Sequence, residues 1–513
     1  MNPSTEEFDL IVAGGGPSGS TLATFVAMQG HRVLLLEKEQ FPRYQIGESL
    51  LPATVHGVCA MLGVTDELNA ANFMLKRGGT FRWGKNPDPW TFSFALSPAL
   101  EGPTSHAYQV ERSKFDSILL NNAKAKGVDV RERHTVSEVL SEGGRATAVR
   151  FKDADGNERT ATARYVAGAA GNTSHLHKKV GGERVYSDFF RNVALFCYFE
   201  DGKRLPAPNS GNILSAAFND GWFWYIPLSD KLTSVGAVIS RDKADLIQGG
   251  HEAAMNKFIH SCPIIEEYLS NARRVTEGPY GQFRVRKDYS YCNTNFWSPG
   301  MVLVGDAACF VDPVFSSGVH LATYSGLLAA RSVNSCLRDG IDEQRAFEEF
   351  EARYRREYGV FYKFLCAFYD MHQDEDSYFW QARKVLNTDQ TELESFISLV
   401  AGVSSSGEQL YSSAEEFKRS TELVGQSLQQ ETSSESAKTI AETGSQFVAR
   451  SDFMGSLWQE TRQVQGQARA RSGRRPRKQE RALFEGGLVP SPDGLHWNVP
   501  DAESQHSATA ATV

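Results

Sequence analysis

Short apolar runs alternate with segments of helical spacing over the first eighty residues. Residues 8–13 ("FDLIVA") form one apolar run and residues 31–37 ("HRVLLLE") another, and between them residues 17–30 are small and helix-compatible. Strand, helix and strand in that order predict a parallel pair joined by a right-handed crossover. Residues 165–170 and 301–305 are apolar runs that suit the same sheet. Between them, residues 193–199, 221–227 and 232–239 are rich in β-branched and aromatic side chains, which predicts an inserted antiparallel lobe. Charged and aromatic residues recur at helical spacing over 343–382, predicting long helices. From about residue 403 the composition shifts to Ser, Gln, Glu and Thr, until "LVPSPDGLHWNVP" at 488–500 restores apolar residues and predicts that the chain docks back on the body. No internal repeat is found.

The fold class expected is α/β (α+β). A discontinuous Rossmann-like domain takes residues 1–80, 105–185 and 275–345, and the antiparallel lobe takes 81–104 and 186–274. A helical region follows at 346–402, and a partly flexible C-terminal region at 403–513.

With 513 residues the chain exceeds one core, so more than one domain is expected. A net charge of −8 argues against general nucleic-acid affinity. No apolar run reaches the roughly 18 residues that span a bilayer, and the polar, acidic start is unlike a secretory signal, so a cytoplasmic protein is expected. The seven cysteines are scattered without a CxxC pair, which fits reduced thiols and gives no metal-ligand spacing. Residues 469–481 ("RARSGRRPRKQER") are basic, and suit either an anionic partner such as a carrier domain or a solvated linker.

The most informative local motif follows the first strand. Gly14, Gly16 and Gly19 have GxGxxG spacing, with Ser18 inside the turn. Gly14 permits the tight turn, Gly16 leaves room for a pyrophosphate against the backbone, and Gly19 lets helix and strand pack closely. The helix start adds free N–H groups and the positive end of its dipole. Glu37 closes the second strand, 23 residues after Gly14, where its carboxylate can accept from both hydroxyls of an unphosphorylated ribose. No second such motif follows a strand, so no fixed NADPH site is expected and any reducing equivalents must come from a separate reductase.

FAD rather than NAD is indicated by Gly305-Asp306-Ala307-Ala308 after a strand, which resembles the second FAD fingerprint of p-hydroxybenzoate hydroxylase-type flavoproteins. The resemblance implies that Asp306 holds the ribityl hydroxyls and that Pro313 and the 316–318 turn face the flavin ring. It also implies that Arg112, in "QVERSKFD", contacts the cofactor. Arg43, in "FPRYQIGES", is a second candidate, and an ordinary surface salt bridge is the alternative for each arginine.

Two further motifs resemble flavin-dependent halogenases, over about residues 8–382. Trp222-Phe223-Trp224-Tyr225-Ile226-Pro227 matches that family's WxWxIP pattern, and Lys76, in "MLKRGGTFRWG", stands at its essential lysine. "FPRYQIGES" and "DPVFSSGVHLA" add to the likeness, which is close to a phenol-chlorinating member. The resemblance implies that reduced FAD, O2 and chloride give hypochlorous acid, which Lys76 relays by a hydrogen bond or as a chloramine. The backbone N–H groups of Ser317 and Gly318, at a helix start, suit the chloride. An exposed lysine beside Arg77 is the alternative for Lys76, while Trp222 and Trp224 are read as site wall.

One departure concerns substrate. Tryptophan-type members carry a glutamate where this chain has Phe315. A phenol needs less help to lose its ring proton, since its hydroxyl donates into the ring and ionises with a pKa of about 10. A phenolic, tyrosyl-type substrate is therefore expected, free or tethered to a carrier protein, with Phe315 as part of the wall. The rival readings are an aromatic hydroxylase of the same fold and a catalytically silent FAD-binding scaffold.

Overall fold

The computed structural model describes residues 6–83, 89–97, 100, 105–187, 189–287, 290–338, 340–370, 396–397, 399–403, 482–484 and 486–500. Its first sheet places Glu6–Ala13 at the centre, parallel to Glu158–Gly168 on one side and Val33–Glu37 on the other. Met301–Leu303 extends it beyond Glu158–Gly168, and Asp129–Glu132 beyond Val33–Glu37, both in parallel. Every residue of Val33–Glu37 is buried, as a strand covered on both faces requires. Helix Pro17–Ala27 begins with proline at its first turn, where no N–H is missed, and packs on the long helix Ser317–Leu337.

The second sheet is mostly antiparallel. Its order runs Arg273–Arg274, Asn192–Glu200, Leu232–Ser240, Gly221–Pro227, Ile213–Phe218, Gly78–Arg82 and Trp90–Ser93. Arg284–Lys287 also pairs with Asn192–Glu200, and Gly78–Arg82 joins Ile213–Phe218 in parallel. The sheet thus takes residues from both sides of the boundaries drawn at 80 and 275. Side chains alternate strictly across it. Ala194, Phe196, Tyr198, Trp222, Trp224 and Ile226 enter the main core, whereas Leu195, Cys197, Phe223 and Tyr225 enter a second core with helices His251–His260 and Pro263–Leu269.

The helical periodicity near residue 343 becomes the single helix Glu343–Asp370; the rest of that prediction, and the basic stretch 469–481, lie outside the described residues. The apolar tail segment does dock. Val489–Pro490 pairs with Trp497–Asn498, and the buried Trp497 indole donates to Ser332 Oγ at 2.9 Å while its backbone N–H donates to Ser335 Oγ at 2.8 Å. Leu488 N donates to Glu349 Oε2 at 2.9 Å, and Arg353 Nη2 to the Leu488 carbonyl at 3.0 Å. A Trp497→Ala variant removes a buried indole and its bond to the Ser332 hydroxyl, which keeps only its own bond to the Ala346 carbonyl. It is expected to lower unfolding stability by about 3–5 kcal/mol, read from the shift in urea midpoint.

Among the described residues no helix is long and apolar enough to cross a membrane, and no group of His, Cys, Asp and Glu could hold a metal ion.

Candidate active site

The three glycines of the nucleotide loop have different neighbours. Gly14 has φ +117°, and a Cβ there would lie 2.5 Å from the Ala169 carbonyl oxygen. A Cβ on Gly19 would lie 1.9 Å from the Gly14 carbonyl oxygen. Both positions are glycine because the chain itself closes on them. A Cβ on Gly16 would meet only Arg43 Nη2, at 3.7 Å, so that face of the loop opens onto space. Glu37 is buried, accepting from Gly15 N at 2.6 Å and Glu39 N at 2.9 Å. Ser18 touches Gly305, where an added Cβ would lie 2.7 Å from its Oγ, and so the Asp306 turn is seated on the glycine loop.

Arg43 and Arg112 share one carboxylate. Asp116, fully buried, accepts from Arg112 Nε at 2.7 Å and Nη2 at 3.0 Å, and from Arg43 Nη1 at 3.0 Å. Neither arginine is therefore a simple surface ion pair. Arg112 Nη1 also donates to the Ile46 and Gly47 carbonyls, at 2.7 and 3.2 Å, which fixes the segment leading to Ser49. Burial pushes the Asp306 carboxyl up to about 6, against the opposing pull of Arg112, Arg286 and Arg184.

Lys76 is 3% exposed, so the alternative of a surface lysine beside Arg77 falls away. It ends the strand Met74–Lys76, and its Nζ donates to Ser49 Oγ at 2.8 Å and the Leu50 carbonyl at 2.9 Å. Ser316 Oγ stands at 3.5 Å and the Phe94 ring centroid at 5.6 Å. None of these partners is a carboxylate, and burial alone pulls the ammonium down to about 7.

The loop that delivers Ser316 is built by its own sequence. Asp312 Oδ1 accepts from Val314 N at 3.0 Å, Pro313 opens a helical turn, and Ser316 holds φ +60° before helix Ser317–Leu337 starts. Left-handed backbone at a non-glycine residue is uncommon and is held here by its surroundings. Ser317 Oγ is buried with no hydrogen-bond partner among the described residues. Gly318 lies under Phe310, whose ring edge would be 2.8 Å from an added Cβ. Phe315 is buried against Phe81, Phe364, Phe368 and Phe396, an apolar wall beside Ser316.

The two tryptophans act on this loop differently. Trp222 Nε1 donates to Tyr369 Oη at 2.6 Å, and Tyr369 Oη donates to Asp312 Oδ1 at 3.0 Å, tying the WxWxIP strand to the base of the loop. Trp224 instead donates to Ser234 Oγ at 3.2 Å and lies over Gly236 within the sheet.

Three features were not found in the sequence. Asp116 is one; its only signal is the i,i+4 spacing to Arg112 on helix Arg112–Ala125. The second is the chain Glu48, Tyr198, Tyr44, with both O···O separations 2.7 Å and the Glu48 carboxyl pushed up to about 7 by burial. The third is a buried pair, His320 Nε2 to Glu357 Oε1 at 2.8 Å, one helical turn after Ser316. Nothing local in the sequence joins those partners.

The model for the tryptophan halogenase family matches residues 9–102 and 97–442. A protein named tryptophan 2-halogenase from Chondromyces crocatus is 32% identical over 405 residues, 77% of this chain and 75% of its own. The flavin-dependent halogenase gsfI of Penicillium aethiopicum is 32% identical over 384 residues, 70% of each chain. Among solved structures, the myxobacterial chondrochloren halogenase CndH, described as a variant of FAD-dependent halogenases, is 58% identical. It covers 96% of this chain and 100% of its own, with a TM-score of 0.73.

Proposed function

The chain belongs to the tryptophan halogenase family of flavin-dependent halogenases, and from that premise we propose that it chlorinates a phenolic ring with Lys76 as the relay. The observation that carries this reading is the Lys76 amine, buried without a carboxylate partner and 3.5 Å from the Ser316 hydroxyl.

The space at Gly16 would take a pyrophosphate, which the loop backbone and Arg43 would hold, while Glu37 would hold the ribose and Asp306 the ribityl chain. When bound, reduced FAD supplies the electrons with which O2 oxidises chloride to hypochlorous acid. The chain does the rest. The N–H groups of Ser317 and Gly318, at the positive end of a 21-residue helix, hold chloride, and the unpartnered Ser317 Oγ is a further donor. The apolar side chains of Phe315, Phe81 and Phe94 keep competing water away. Near neutral pH a substantial share of Lys76 is the free amine. That amine takes chlorine from hypochlorous acid, forming N–Cl and releasing water, and passes it on to an activated ring carbon. In the ammonium form Lys76 donates a hydrogen bond to hypochlorous acid instead. Ser49 Oγ and the Leu50 carbonyl hold Nζ in place for either role.

Phe315 offers no base for the ring proton, which suits a substrate whose own oxygen activates the ring. Chlorine is then directed ortho to the hydroxyl, because the para carbon of a tyrosyl unit is occupied. A carrier-borne tyrosyl thioester is the substrate form proposed, with a separate reductase supplying the reduced flavin. In a competition of free tyrosine, carrier-bound tyrosine and tryptophan, mass spectrometry is expected to find the carrier-bound phenol chlorinated fastest. Faster reaction of free tyrosine would sink the tether, and chlorination of tryptophan alone would sink the phenol.

A further inference from the structure

Two cysteines face each other across paired strands beside the site. Tyr291–Asn293 runs antiparallel to Cys309–Phe310, with Cys292 opposite Cys309. The Asn293 N–H donates to the Ala308 carbonyl at 3.0 Å, while the Ala308 N–H turns to the Gly305 carbonyl at 2.9 Å, so the ladder between the strands starts with a bond at Asn293. The next pair along, Cys292 and Cys309, is then a non-hydrogen-bonded one. There the Cα atoms approach to about 4.5 Å and the side chains are closest. That separation lies within the roughly 4.4–6.8 Å that a disulfide spans.

The two thiols differ in environment. Cys309 is buried, whereas Cys292 is partly exposed. Arg355 Nη1 lies 3.3 Å from Cys292 Sγ, and Arg355 is itself braced by Glu351 at 2.7 Å through Nε. A hydrogen bond from Cys309 and the charge of Arg355 hold the Cys292 thiol below its usual range, while burial pushes Cys309 up. A thiol held low by a neighbouring guanidinium, with a second thiol directly opposite, is the arrangement of an attacking and a resolving cysteine.

We propose that Cys292 and Cys309 are an oxidation site, at which hydrogen peroxide converts the pair to an intramolecular disulfide. The Cys292 thiolate attacks peroxide, forming a sulfenic acid and releasing hydroxide. Cys309 sulfur then displaces the sulfenic oxygen, which leaves as water once it has taken the Cys309 proton. Two thiols lose two electrons, and one peroxide becomes two waters. The position gives the reaction a use. Tyr291 donates to the Asp306 carbonyl, and Phe310, next to Cys309, covers Gly318. Stray oxidant from the neighbouring chemistry is captured reversibly at the strands that carry both loops, and the disulfide closes a loop with 16 residues between the two cysteines, which restricts the unfolded chain.

The test is the purified full chain treated with a few equivalents of peroxide, then alkylated and digested. The expected result is a loss of 2 Da confined to a crosslink between the Cys292 and Cys309 peptides, reversed by dithiothreitol. The melting temperature should rise by several degrees in the oxidised form. Cys292→Ser should give neither change, and Cys309→Ser should accumulate a dimedone-reactive sulfenic acid at Cys292. Sulfinic acid at Cys292 without a crosslink would overturn the proposal. So would oxidation confined to Cys336 and Cys366, or a crosslinked form that melts lower.

Discussion

A Gly16→Val variant is expected to fold as the wild type does and to lose FAD. Gly16 has φ −69° and ψ −178°, extended backbone that valine adopts freely, and its Cβ position meets only Arg43 Nη2, at an ordinary contact distance of 3.7 Å. The side chain therefore costs the protein alone very little. It fills the space through which a pyrophosphate reaches the loop N–H groups. Hydrogen bonds to charged groups are worth about 1.5–3 kcal/mol each, so two lost bonds weaken FAD about a hundredfold or more. Flavin fluorescence titration checks this beside a thermal melt of the free protein. Unchanged flavin affinity would move the cofactor away from this loop. Gly19→Val is the contrasting variant: its Cβ would sit 1.9 Å from the Gly14 carbonyl oxygen, so the protein itself should fail to fold.

Lys76→Ala is expected to lower chlorination about a thousandfold or more, as the loss of an essential proton- or group-transferring side chain does. Flavin oxidation and peroxide release should continue. Lys76→Met separates chemistry from stability by the sign of a pH effect. In the unfolded chain a lysine titrates near 10.4, and in the folded protein burial brings Lys76 to about 7. Between those values the unfolded state binds the extra proton, so wild-type stability rises with pH across that window. Methionine has no such proton. Lys76→Met should therefore be more stable than the wild type at pH 7, by a margin that shrinks toward pH 10, although it does not chlorinate. A margin independent of pH, measured by urea unfolding at both ends of the window, would mean that Lys76 is not buried as an amine.

How much of this was legible depended on the sequence distance between partners. The glycine loop and Glu37 lie within 24 residues, and their placement follows from strand-turn-helix geometry, so it could be read directly. Lys76 and Ser316 are 240 residues apart, and only family likeness pointed to the lysine. Its burial and its carboxylate-free partners needed the folded chain. The strands near 193–239 were recognised by their composition. That both faces are buried, alternate residues toward one core and then the other, depends on helices His251–His260 and Pro263–Leu269, which no strand pattern reveals. Trp222 was read as wall, yet its indole reaches the Asp312 loop through Tyr369, a link between segments that sequence spacing leaves unrelated. His320 and Glu357 remained hidden for the same reason. Each looks like an ordinary helical residue until Ser317–Leu337 and Glu343–Asp370 pack together.

Relay of chlorine by Lys76 to a phenol is tested most directly by product mass from wild type and Lys76→Ala run side by side. Each is supplied with reduced FAD, O2, chloride and a carrier-bound tyrosyl thioester. A chlorine isotope doublet is expected on the tyrosyl ring with the wild type, absent without chloride. With Lys76→Ala the expected result is consumption of reduced flavin and release of peroxide, but no chlorinated product. A chlorinated ring from Lys76→Ala at the wild-type rate, or a hydroxylated ring from the wild type whether or not chloride is present, would contradict that relay.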